Sequence, residues 1–261
     1  MTTSRSNAVS STAIMRGALI DETYTILRGW DFGESRTENL RRVRDDNPIG
    51  ATSSRWATKV TDAFSRVFDP AGRDRPLAEI AVAGCDREIW KSILLYHMTR
   101  DEFLLRDFLV NWLYPHYRRG TYRLYVDEVT SYLKSLNTQR GIVFSRTWSE
   151  STTVRVAQGL LRIAADFGLL RGTMYKEFAS YHLPEESFIY LLHAMADSEP
   201  NARRIVESED WHMYLLDGSD VERELLRLHQ FRKIRYEVAG SLAQLKLPHE
   251  SSVQHARAFA A

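Results

Sequence analysis

Apolar residues recur at spacings of three and four along most of this chain, a pattern that predicts a mainly helical protein. "IMRGALIDETYTILRG", "GESRTENLRRVRDDNP" and "ATSSRWATKVTDAFSRVFDP" each read as a helix, stopped at Gly29, before Pro48 and before Pro70. "DRPLAEIAVAG" predicts a short helix. "DREIWKSILLYHMTRDEFLLRDFLVNWLYP" predicts one long helix or two abutting ones, ending before Pro115. "TYRLYVDEVTSYLKSL" and "SESTTVRVAQGLLRIAADFG" supply two more. The period then changes. "LLRGTMYKEFASYHL" lacks a helical stripe and is aromatic and β-branched enough for a small hairpin. Helices over "PEESFIYLLHAMAD", "PNARRIVESEDW" and "SDVERELLRLHQF" follow, and "KIRYEVAGSLAQLKL" alternates around Gly240 as a closing hairpin.

The expected fold class is therefore mainly α: a helical bundle-like N-terminal part plus a winged helix-turn-helix-like part with short β-hairpins. Residues 1–13 read as a disordered lead and 14–115 as an N-terminal helical domain, with a possible helix-turn-helix at 34–68. Residues 116–261 read as a C-terminal domain, with a winged-helix-like segment at 121–182 and closing helices and hairpin.

The helix in the middle of the chain has the most instructive pattern. At 100° per residue, Val154, Val156, Ala157, Leu160, Leu161, Ile163, Ala164, Ala165 and Phe167 fill a broad apolar arc. Ser151, Thr152, Arg155, Gln158, Gly159, Arg162 and Asp166 share the other arc. Thr147 and Glu150 have capping-box spacing, with Ser149 and Ser151 as competing caps, and Gly168 suits the position just past the end. A helix precedes this one and a hairpin bearing Arg171 and Lys176 follows, which is the order of a winged helix-turn-helix. Hydroxyls and free amides at a helix start suit phosphate oxygens, and Arg155, Gln158 and Arg162 are long enough to reach phosphates or base edges. The competing reading is a solvated polar face, and the long connector between Leu136 and Ser151 is unlike a tight turn.

Charge adds to this picture once it is divided along the chain. The net formal charge is +1. Residues 1–115 hold 16 basic and 16 acidic side chains, 116–171 hold 9 and 4, and 172–261 hold 10 and 14. The local surplus, which is what attracts a polyanion, lies in the segment containing the polar helix face. A second candidate lies upstream, where Ser54, Arg55 and Lys59 share the polar side of a helix that follows the arginine-rich Arg41, Arg42 and Arg44. Asp45, Asp46 and Asp62 offset much of that charge.

Signals for catalysis are missing. There is no GxxxxGK[ST], GxSxG or HExxH motif, and the eight histidines are scattered, His249 and His255 reading as a mobile tail. "DREIWK" lacks the spacing of a nuclease centre, and its acids read as caps of a helix's first turn. Asp101, Glu102 and Asp107 lie between leucines and read as partners of Arg100 or Arg106 rather than as metal ligands. The single cysteine, Cys85, excludes an intrachain disulfide, and no Cys/His zinc pattern exists. No catalytic residue, metal or small-molecule cofactor is expected. The best membrane-span candidate is interrupted by Arg100, Asp101, Glu102, Arg106 and Asp107, and the N-terminus lacks a signal peptide's apolar core. The expected location is the cytoplasm.

Taken together, three stretches resemble the BrxA family. They are "GALIDETYTILRGWDFGESRTENLRRVRDDNPIGATSSRWATKVTDAFSRVF", "ILLYHMTRDEFLLRDFLVNWL" and "SESTTVRVAQGLLRIAADFGLL". The family plan maps onto Glu22, onto Asn47 with Ser53 to Arg55, onto Asp107 with Phe108, and onto Ser151 with Thr152 through Gly168 to Leu170. The resemblance implies a mostly helical, non-enzymatic component of BREX, a bacterial defence against phage. It also implies association with DNA and with other BREX subunits, and a likeness to an RNA-binding antitermination factor. Three functions follow as expectations: a duplex-DNA-binding accessory protein, an interaction scaffold for other defence subunits built on residues 172–261, and an RNA-binding factor.

Overall fold

Serine hydroxyls open many of the helices. Ser35, Ser53, Ser149, Ser208 and Ser251 stand just before a helical turn in extended backbone, and accept from the amides of Glu38, Trp56, Thr152, Asp210 and Gln254. Each hydroxyl satisfies a donor that the first turn leaves without a helical partner. The computed structural model describes residues 8–9, 11–136, 143–144, 147–240 and 242–259.

In chain order the elements begin with β1 (Ala8–Val9), α1 (Ser11–Ile14), α2 (Ile20–Arg28), α3 (Arg36–Asp46), α4 (Ser54–Val67) and α5 (Arg75–Ala83). Next come α6 (Arg87–Met98), α7 (Phe103–Asp107), a π-helical segment (Phe108–Leu113), α8 (Tyr114–Arg118) and α9 (Val126–Leu136). Then follow β2 (Val143–Phe144), α10 (Glu150–Asp166), β3 (Leu170–Arg171), β4 (Glu177–Phe178), α11 (Glu185–Ala196) and α12 (Ala202–Val206). A 3-10 segment (Glu209–Tyr214), α13 (Gly218–Gln230), β5 (Arg235–Ala239), β6 (Leu242–Lys246) and α14 (Ser252–Ala258) complete the described chain. The mainly helical expectation holds. Both expected hairpins form: β3 pairs antiparallel with β4, Leu170 opposite Phe178, and β5 with β6, where Gly240 takes φ 61° in the turn. β1 and β2 pair in parallel.

Three expectations need correction. The first predicted helix breaks after α1, because Gly17 (φ 83°) and Leu19 (φ 47°) leave the right-handed region, and α2 starts only at Ile20. The long predicted helix does not end before Pro115 but runs through it to Arg118. Proline has no amide and crowds the preceding turn; the wider π-helical segment ahead of it spares the chain that clash. The tail is also not loose. Ser251 caps α14, too short a helix for a periodic pattern to betray. The expected disordered lead falls mostly on residues 1–7 and 10, and most of the connector between Leu136 and Ser151 on 137–142 and 145–146, outside the described residues.

The chain forms two compact units, each assembled from three stretches, where the sequence reading divides it once after residue 115. The first unit takes the described residues of 8–18, 99–183 and 206–228. In it α9 packs on α10, whose Val156, Ala157, Leu160, Ile163 and Ala164 are buried, and α10 packs on β3. Arg106 reaches across 104 positions of sequence to Asp210 at 2.8 Å, while Asp107 accepts from the Tyr132 hydroxyl and from Asn111 (2.8 Å). Arg106 thus pairs with a carboxylate distant in sequence, and the part-exposed Asp107 is held by Tyr132 and Asn111 rather than by Arg106.

The second unit takes 19–98, 184–205 and the described residues of 229–259. Here α5 packs on α2 and α14, and α11 on α6 and α14. Trp90 is buried and its indole N–H donates to the Ile20 carbonyl at 3.2 Å. His97 is sealed between the Asp74 carboxylate and the Tyr190 hydroxyl, 2.6 Å from each. Asp86 accepts from the Glu88 amide at 2.8 Å, the first-turn cap expected of "DREIWK".

Candidate nucleic-acid interface

The start of α10 gathers hydroxyls. Ser149 Oγ accepts from the Thr152 amide and lies 3.0 Å from Ser151 Oγ and 2.9 Å from Thr152 Oγ1. Of the competing caps it is Ser149 that holds the position, and Thr153 turns inward, its hydroxyl donating to the Ser149 carbonyl. Beyond this turn Ser151, Arg155, Gln158 and Arg162 are all exposed, and Thr152 is half-buried. Their steps of four, three and four residues put them in one stripe, opposite the buried arc.

Two features limit the free charge of that stripe. Arg162, 71% exposed, has the Asp166 carboxylate 3.9 Å away, a surface pairing of small energetic weight. Arg155 has no ion-pair partner among the described residues. Periodicity puts Gly159 on the polar arc, yet it is only part-exposed. A Cβ added there would stand 2.9 Å from both Cγ2 and the carbonyl O of Ile14, so α1 lies directly on this part of the helix.

The hairpin after α10 is anchored by one further bridge. The Lys176 amide donates to the Leu124 carbonyl at 2.9 Å, and the Leu124 amide returns the bond to Lys176 at 2.8 Å. Leu124 thus adds a short third edge just before α9. Arg171 is 70% exposed, with Glu177 3.7 Å away. The Lys176 ammonium is turned onto the Gly172 carbonyl. Gly172 has φ 99°, and a Cβ there would come within 2.5 Å of the Tyr175 carbonyl, so the tip of the hairpin demands glycine.

The second candidate group, Ser54, Arg55 and Lys59, is exposed on α4 and belongs to the other compact unit. The structure therefore does not gather the ten predicted residues into one cluster within a unit. The arginines ahead of α4 are spent on acids: Arg41 on Glu38 and Asp45, Arg42 on Glu34, Arg44 on Asp62.

Sequence periodicity gave no hint of an aromatic and basic patch around the bridge. Arg123 lies over the ring of Tyr175 (4.2 Å) and that of Tyr122 (5.1 Å). Tyr122 is 70% and Met174 87% exposed, and the Tyr125 ring lies 6.2 Å from that of Tyr175. Two tyrosines three positions apart, Tyr122 and Tyr125, just before a helix are the available signal. Arg118, in contrast, is occupied by Asp217 at 2.8 Å. The Ser219 hydroxyl, the Asp220 amide and then Arg118 hold the Asp217 carboxyl down to about 2. A further basic groove, of about 770 Å³, runs along the closing hairpin in the second unit, lined by His229, Arg232, Lys233, Arg235 and Lys246. Its charge is trimmed by the Lys233–Glu185 and Arg235–Glu237 pairs.

These features define a mainly helical protein in which an exposed, cationic helix face is followed by a small anchored hairpin. Among the described residues no helix is long and apolar enough to cross a membrane. The chain belongs to the BrxA family, whose profile, described as BrxA, matches residues 10–194. That stretch spans α1 to α11, most of the chain. No curated protein and no solved structure matches it. BrxA family membership points to a BREX-associated defence component.

Proposed function

We propose that the protein is a non-enzymatic accessory factor of a BREX system, acting in the cytoplasm, that binds duplex DNA through a winged helix-turn-helix-like segment and reads mainly backbone and shape. The observation that carries this reading is the stripe Ser151, Arg155, Gln158 and Arg162, open to solvent along α10 and followed by a hairpin bearing the exposed Arg171. The Leu124–Lys176 bridge supports it. A strand edge before the first helix that pairs with the returning strand of the hairpin would give a wing a fixed bearing relative to the recognition helix. In this arrangement the α10 face enters the major groove, and Arg171 meets a phosphate beside it. With few free cations, most contacts are to phosphates, which position the protein without specifying sequence.

The test is a mobility-shift comparison of the full chain with Arg155→Glu/Arg162→Glu and with Arg55→Glu/Lys59→Glu. The α10 pair is expected to abolish the shift, and the α4 pair to leave it within about threefold of the parent. The reverse ranking would move the site to α4, and an unchanged shift in both variants would remove the proposal.

A second reading, RNA or single-strand binding, is favoured by the Tyr122, Arg123 and Tyr175 patch. The exposed Tyr122 ring and the part-exposed Tyr175 ring, both beside the Arg123 guanidinium, offer a stacking platform for unpaired bases. Competition between single-stranded RNA and duplex DNA for the same protein separates the two.

A further inference from the structure

The histidines that look scattered in the sequence meet in the second unit. His193 lies on α11, His249 in the turn after β6, and His255 on α14. One ring nitrogen from each lies within 4.8 Å of those of the other two. The His193 and His255 rings are 4.4 Å apart and near-parallel, and His249 Nδ1 is 3.1 Å from His255 Nδ1. His193 is buried to within 1% of its surface, while His249 and His255 are part-exposed, so the cluster is closed on one side and reachable on the other.

A purely structural role leaves this cluster poorly satisfied. The Nε2 atoms of His193 and His255 are both sealed from solvent, and neither has a hydrogen-bond partner among the described residues. Each buried polar atom left unpaired costs about 1–3 kcal/mol. The facing Nδ1 atoms of His249 and His255, 3.1 Å apart, can share one proton in a hydrogen bond, so at least one of the two carries a lone pair rather than a proton. Three imidazoles presenting ring nitrogens over a few ångströms are what a first-row divalent cation requires, and nitrogen donors of this type favour zinc and its neighbours.

We infer that His193, His249 and His255 form a zinc-class metal site, with small side-chain rotations closing the three nitrogens to coordination distance and a fourth position left to water. Burial, and then the neighbouring rings, keep His193 near 3 and His255 near 4, so these two ligands are already unprotonated at neutral pH and binding displaces no proton from either. The ion would tie α14 and the turn before it to α11, fixing the C-terminal end of the unit. This is a different site from the nucleic-acid surface on α10, and its test is independent of DNA binding.

The experiment uses the untagged full chain stripped with chelator and titrated with Zn²⁺ by calorimetry, with Co²⁺ absorption as a readout of coordination. Uptake of one Zn²⁺ per chain is expected, with a visible Co²⁺ band of low-coordinate type and a zinc-dependent rise in melting temperature. His249→Gln/His255→Gln is expected to weaken zinc binding by about a hundredfold or more and to abolish the Co²⁺ band. His249→Gln alone, at a part-exposed position where folding is not at stake, is expected to weaken it by at least tenfold. Absence of stoichiometric uptake by the parent chain would overturn the site, as would equal uptake by the folded His249→Gln variant.

Discussion

Ile14 occupies the space that the missing side chain of Gly159 leaves on α10, its Cγ2 and its carbonyl oxygen each 2.9 Å from where a Cβ would stand. The clash involves backbone as well as side chain, so a rotamer change cannot relieve it.

Gly159→Ala is therefore expected to displace α1, although alanine is the better helix former. Overpacking of this kind costs about 1–3 kcal/mol, against about 1 kcal/mol gained in helix propensity. The net expectation is a melting temperature lower by a few degrees, with far-UV helicity retained. A melting temperature equal to or above the parent's would mean that α1 does not rest on α10.

His97 is buried with Asp74 on one side and Tyr190 on the other. His97→Leu would remove the histidine partner of a fully buried carboxylate, and breaking such pairs costs about 3–5 kcal/mol. Tyr190→Phe removes one hydroxyl and is expected to cost about 1–2 kcal/mol. Denaturant midpoints of the two variants check the ranking; equal midpoints would contradict it.

The histidine cluster gives the metal-free protein a predictable acid response. His193 and His255 sit near 3 and 4 in the folded chain, below the ordinary histidine value of 6.5, because burial disfavours the charged rings. Between those values the unfolded chain binds protons that the folded chain refuses, so stability falls as pH drops below about 6.5 and is level above about 7. Solvent reaches His255 and His249, which reduces the effect to on the order of 1 kcal/mol between pH 7 and 5. His255→Gln is expected to flatten the decline, since it removes one such group and relieves His193 of a neighbour. Thermal melts at pH 5, 6 and 7 measure it, and a parent chain equally stable at all three would refute the assignment.

Where a helix obeyed a long, clean period, the sequence was enough to find it. The buried arc of α10 and the turn glycine of the closing hairpin, Gly240, were legible because each rests on a local rule: 3.6-residue periodicity, or a positive φ that glycine accepts. What escaped depended on partners distant in sequence. That α1 rests on α10, about 145 residues away in sequence, is not written in either stretch alone. Arg106 was assigned to acids beside it and finds Asp210 instead. His193 and His255 are 62 positions apart, a spacing that no metal motif describes. The stripe on α10 was readable as a face, but that Gly159 within it is covered, and that Arg123 lies over Tyr175, were not.

The aromatic patch separates the two nucleic-acid readings. Tyr122→Ala/Tyr175→Ala is expected to leave duplex DNA affinity within about twofold. It should weaken single-strand binding about tenfold or more, since each stacked base contributes about 1–3 kcal/mol. Fluorescence anisotropy with labelled duplex and single strand measures both. A larger loss on duplex than on single strand would make the patch part of the duplex surface.

In the proposed mode, exposed cations on α10 and its hairpin contact phosphates. The most direct test of that contact is the salt dependence of duplex binding by the full chain. About four neutralised phosphates predict a plot of log K against log salt with a slope near −3.6. In Arg155→Glu/Arg162→Glu any residual binding should show a slope smaller in magnitude by about 2. Affinity that does not change across the salt range, or an identical slope in the variant, would contradict the account.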